Sequence, residues 1–191
     1  MTVLILSLSV PIITSTSASS ANSQLINSLH SLLPDILSYV LSFAILGTFW
    51  IRHHMMFNYV TKVDRLLLWL NIIFLLTIGF IPFSTALVGR YPTLQLSLVV
   101  YGSNLIATSL TSQFLWRYTV RKKLLVHDII DEETMSKINN RMTVGTVSYL
   151  IAIAVSFFDP LVTLAIYIVT LAFFIVNTTT GFRVRRDRIH H

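Results

Sequence analysis

Five long apolar runs constrain this chain more than any other feature. They are Leu33–Met56, Leu66–Val88, Leu94–Trp116, Met142–Phe158 and Leu161–Phe182. A helix needs roughly 20 apolar residues to cross the hydrocarbon core of a bilayer, and the runs meet or approach that length. Asp159-Pro160 separates the last two. Proline does not continue a helix easily, so these two form a tight hairpin. Residues 1–13 are a sixth apolar segment, too short to span alone. The expected fold is therefore all-α: a polytopic membrane protein, one transmembrane domain over 1–191, with five full transmembrane helices and a partial first one. Composition agrees. Charged residues make up 12% of the chain and hydrophobic ones 54%, with a mean hydropathy of +0.72. A soluble domain carries about 25% charged residues. The chain has no cysteine, which excludes disulfides, thiolate metal sites and cysteine nucleophiles.

The connections set the orientation. Residues 14–32 are rich in Ser, Thr and Asn and carry no formal charge. Residues 57–65 and 89–93 are short turns. Residues 117–141 form a charged linker, in which "IDEETMSKI" reads as a short surface helix with acids near its start, where the helix dipole favours them. The first turn with its flank, this linker and the basic tail 183–191 hold 13 of the 14 Lys and Arg residues, and Arg90 stands alone on the other side. Basic residues collect in cytoplasmic loops. The linker and the C-terminus are thus expected in the cytoplasm, and 14–32 is expected as an extracytoplasmic loop. The formal charge of +6 needs no nucleic acid to explain it.

Polar groups at membrane depth are costly and usually face the bundle interior. The candidates are Arg52, His53 and His54, then Trp69, Asn71, Ser84, Thr85, Ser103, Asn104, Gln113 and Asn177. Neighbouring histidines point about 100° apart on a helix, and no carboxylate lies beside them within a span. A metal or haem site is not indicated. The expected role of 52–54 is hydrogen bonding to neighbouring helices at the cytoplasmic boundary, with a packing or pH-sensing role linked to gating as the other reading. Asp35, Asp64 and Asp159 fall at span ends, where caps and turns use them. No glycine-rich phosphate loop, nucleophile elbow or two-histidine zinc motif occurs. No enzymatic activity, catalytic residue, metal or cofactor is expected.

The segments "FWIRHHMMF", "VDRLLLWLNIIFLL" and "FIPFSTALVGRY", in this order and spacing, resemble the transmembrane protein 175-type potassium channels in their prokaryotic, single-repeat form. The tighter match spans about residues 30–120, and the "FDP" hairpin fits as well. The resemblance implies a six-helix subunit, a homotetramer around a central pore, and potassium as the permeant ion. It implies a pore lined by apolar and hydroxyl side chains of the first helix, able to gate by dewetting. "MTVLILSLSVP" aligns with the end of the family's pore helix, which puts Thr2, Val3 and Leu6 on pore-lining positions; Thr2 and Leu6 share one helical face. His53, His54, Trp69 and Asn71 would form the inter-helix polar network that anchors that helix.

The family's Arg-x-x-x-Phe-Ser-Asp element does not occur ahead of this segment. A helix of residues 1–10 reaches only about 15 Å, half the hydrocarbon thickness. The opening "MTVLILSLSVPIITSTSASSA" has no basic residue before its apolar part, unlike a signal peptide. Met1 is therefore read as an internal position of the first helix, whose N-terminal half is missing through either a misplaced start or a truncated gene. The expected function is passive potassium conduction at the plasma membrane, with the lipid bilayer and further copies of the chain as partners. The alternatives are a secondary transporter, for which the Gly79–Pro82 interruption is the one sign, and a truncated, non-conducting member.

Overall fold

A computed structural model describes residues 18–58, 60–122 and 132–180. Five α-helices make up this part: α1 (Ala18–Phe57), α2 (Arg65–Arg90), α3 (Gln95–Arg121), α4 (Glu132–Val155) and α5 (Pro160–Thr180). No strand occurs among the described residues. Each helix packs on the next in sequence, and α5 returns to touch both α1 and α3. The helices α1, over Ala21–Phe57, and α2 are long and apolar enough to cross a membrane.

The helix ends follow local chemistry. Asp64 caps α2: its Oδ1 accepts from the Leu67 N–H at 2.8 Å. Asp159 does the same for α5, accepting from Leu161 N–H at 2.8 Å, and Pro160 holds the first helical position, where a missing N–H costs nothing. The Asp159-Pro160 hairpin is therefore as tight as expected.

Two boundaries differ from the sequence reading. α1 starts at Ala18, so most of the expected 14–32 loop is helix. Hydropathy marks where a helix enters lipid, not where it ends, and Ser, Asn and Ala continue a helix in water. Pro34 sits inside it; Ser38 Oγ donates to the Pro34 carbonyl at 2.7 Å. Likewise the short surface helix expected in the 117–141 linker, from Glu132 onward, is the first part of α4, which runs unbroken to Val155. Ile138 and Met142, one turn apart, pack against the cluster that holds Leu115 and Trp116 and tie this extension to α3.

The core has two layers. One holds Ile45, Phe49, Phe74, Ile81, Leu98, Tyr101, Leu105, Tyr149, Tyr167 and Phe174. The other, near the end that carries the 57–65 turn, holds Met56, Leu67, Leu115, Trp116 and Met142. Small residues bring the backbones close. A methyl group on Gly102 would collide with the Tyr167 hydroxyl and Ile153, and one on Gly89 would collide with Ser38. The outer surface is apolar, with Leu76, Phe83 and Trp69 among its exposed side chains. Such a surface suits lipid or another copy of the chain.

Candidate functional site

α1 and α2 meet through one histidine. His53 Nε2 lies 2.7 Å from Asn71 Oδ1, so this ring nitrogen donates. Its ring stacks on Phe74 at 5.1 Å and leans on Phe57 at 4.4 Å. His54, about 100° further round the helix, instead lies flat on Trp50 at 5.2 Å, on the outer face. Trp69 is 60% exposed. Of the four residues expected in one polar network, the structure brings His53 and Asn71 together. It places His54, one helical step of about 100° from His53, and Trp69, two residues from Asn71, at the periphery.

The interior polarity is concentrated on α3. Its buried positions include Ser97, Tyr101, Asn104, Thr108, Ser112, Leu115 and Thr119, spaced three and four apart. This is one helix face, and it is mostly hydroxyl and amide. An inward polar face is what a helix in lipid needs, since outside it nothing satisfies those groups. On one side, Gln113 Nε2 donates to Thr146 Oγ1 of α4 at 2.8 Å, and Ser109 Oγ lies 2.8 Å from the same hydroxyl. On the other, Thr111 and Thr77 of α2 bring their hydroxyls within 3.3 Å.

Asn104 faces the bend-prone part of α2. With its nitrogen turned to the Thr77 carbonyl, its amide donates there at 3.1 Å; its oxygen accepts from Ile81 N–H at 3.1 Å and, at 3.0 Å, shares the single Ser84 hydroxyl proton with the Ile81 carbonyl. The opposite turn leaves only the Ser84 contact and sets oxygen against oxygen, so the first orientation is the satisfied one. Thr77 C=O and Ile81 N–H are an i, i+4 pair in the turn before Pro82, and the amide of a neighbouring helix contacts both groups.

At the end of the bundle near the 57–65 turn, the Tyr118 hydroxyl donates to Asp64 Oδ2, joining the start of α2 to the end of α3. That bond, with the Leu67 N–H bond next, holds the Asp64 carboxyl below the usual carboxylate range.

Arg52 projects between α1, α4 and α5. Its guanidinium carbon lies 5.4 Å from the Phe49 ring centre and 5.0 Å from that of Phe174. Its Nη2 is sealed from the surface and has no hydrogen-bond partner among the described residues. It opens on a small void lined also by Thr48, Tyr101, Tyr149 and Tyr167.

Among the other sequence candidates, Ser84 and Thr85 each donate to the Ile81 carbonyl at 2.9 Å. Ser103 is exposed. Thr2, Val3, Leu6 and the side chain of Asn177 lie outside the described residues. The sequence reading missed Thr77, Ser109, Thr111, Thr146 and the three tyrosines; the three-and-four spacing of hydroxyls along α3 was the signal that could have found its share. No group of three or more His, Asp or Glu side chains able to hold a metal occurs among the described residues.

An apolar exterior around a hydroxyl and amide interior defines an all-α integral membrane protein. Comparison with known proteins narrows this. Residues 1–82 match the family model described as endosomal/lysosomal potassium channel TMEM175. The chain is 29% identical over 136 residues to a potassium channel of Streptomyces collinus, covering 69% of this chain and 66% of that protein. It is 27% identical over 157 residues to a potassium channel of Chamaesiphon minutus, covering 81% and 77%. The crystal structure of a lysosomal potassium-selective channel TMEM175 homolog from Chamaesiphon minutus superposes with a TM-score of 0.70 at 26% identity, covering 93% of this chain and 89% of that one. The chain is thus similar to the TMEM175 channels in sequence over residues 1–82 and in fold over 93% of its length.

Proposed function

We propose that the chain is a subunit of a potassium channel that conducts passively. The observation that carries this reading is the agreement in fold, over 93% of the chain, with a homolog crystallised as a potassium-selective channel. The family-model match supports it further, because it begins at residue 1 and so includes the opening apolar segment. In this reading Thr2, Val3 and Leu6 line the pore, and four copies of the chain surround it. The exposed apolar side chains of α1 and α2, such as Trp50, Trp69 and Leu76, would supply surface for neighbouring copies or lipid. The charge asymmetry supports a cytoplasmic C-terminus, and the reading places the subunit in the plasma membrane.

The test is potassium flux into liposomes carrying the purified chain. Flux driven by the potassium gradient alone is expected, with Leu6→Thr changing its rate, since an apolar ring opposes wetting. Flux that requires a proton or sodium gradient would make the protein a transporter. No flux at all would make it a non-conducting member of the family.

A further inference from the structure

We propose that the void between Arg52, Tyr101 and Tyr149 is a binding site for one small monovalent anion of halide size. This site is separate from conduction and does not rest on the ion that the protein carries.

The first reason is charge. A guanidinium at this depth is expensive unless something compensates it. The aspartates Asp35, Asp64 and Asp159 are committed elsewhere. Asp35 bonds Arg90 at 3.3 Å, Asp64 accepts from Tyr118, and Asp159 caps α5. The rings of Phe49 and Phe174 stabilise a cation over their faces, but a ring face replaces neither a counter-charge nor a lone pair for the sealed Nη2.

The second reason is the chemistry of the walls. Among the described residues, the hydroxyls of Tyr101 and Tyr149 are in no hydrogen bond, although both residues line the void. The other two lining hydroxyls already donate: Tyr167 to the Leu98 carbonyl at 2.9 Å, and Thr48 to the Ile45 carbonyl at 2.7 Å. The void therefore offers a cation and two uncommitted O–H donors, and no carboxylate. The third reason is size. It has room for about one water molecule. A phosphate or an organic acid does not fit, whereas a monatomic anion does. Water would satisfy the donors and leave the charge uncompensated; an anion answers both.

The full chain, purified in detergent, is melted in chloride and in gluconate at equal ionic strength. A site of this kind raises the midpoint with chloride by about 3–6 °C per tenfold increase above half saturation. Arg52→Met abolishes the dependence. Tyr101→Phe with Tyr149→Phe keeps the charge and raises the half-saturating chloride concentration about tenfold, which covers the case in which the arginine variant does not fold. Crystals grown in bromide show an anomalous peak beside Arg52. Equal melting in chloride and gluconate, a half-saturation unmoved by the tyrosine changes, or a bromide peak elsewhere overturns the proposal.

Discussion

Asn104→Ala is expected to destabilise the bundle by loosening α3 from α2. The amide makes three hydrogen bonds, to Thr77 C=O, Ile81 N–H and Ser84 Oγ. Hydrogen bonds between helices in membranes average about 0.6 kcal/mol each, so their loss amounts to about 2 kcal/mol. Ser84 recovers part of this, because its hydroxyl also donates to the Ile81 carbonyl at 2.9 Å. Ser84→Ala removes one of the three partners and leaves the two backbone bonds. In that background the cost of Asn104→Ala should fall by about 0.6 kcal/mol, a coupling within what contacting residues show in double-mutant cycles. Unfolding of the four proteins in mixed detergent, followed by circular dichroism, measures the cycle. Equal costs in the two backgrounds would refute a hydrogen bond between the Asn104 amide and Ser84.

Three further outcomes are expected. Gly102→Ala should lower stability by about 1–3 kcal/mol, since its methyl meets the Tyr167 hydroxyl and Ile153; Gly79→Ala, which meets nothing within 4 Å, should be neutral or stabilise by up to about 1 kcal/mol, and thermal melts of the pair give the contrast. The lowered carboxyl of Asp64 contributes stability that is complete above the unfolded value of about 3.9 and is lost as pH falls through the folded one. The melting gap between the wild type and Asp64→Ala should therefore be constant from pH 5 to 8 and shrink at pH 3. The natural absence of cysteine makes single introduced thiols background-free: in intact cells an impermeant maleimide should label Thr93→Cys, while Lys62→Cys should react only after permeabilisation, and the reverse pattern would invert the orientation.

Much of the fold was legible because lipid imposes one simple rule on composition. A run of apolar residues that long must be a helix, and Asp159-Pro160 must end one, so the order of elements follows from hydropathy and breakers alone. The ends were less legible. The extensions of α1 back to Ala18 and of α4 back to Glu132 lie in polar sequence, where helix and loop compositions overlap. The polar candidates were legible as a set, because Ser84, Asn104 and Gln113 stand out against apolar neighbours.

Pairing was not. Adjacent His53 and His54 are chemically identical in the sequence, yet one bonds Asn71 and the other stacks outward on Trp50. Only the rotation of α1 against α2 decides which faces in. Arg52 looked like a boundary residue by position, and the packing of Phe49, Phe174 and Tyr149 draws its guanidinium inward and seals Nη2. The sequence by itself determined that this is a helical membrane protein, its charge asymmetry and its family resemblance, because those depend on composition and order along the chain. Tertiary structure decided which polar groups meet, because a hydrogen bond depends on the azimuth and depth of two helices at once, and neither is written in one segment alone.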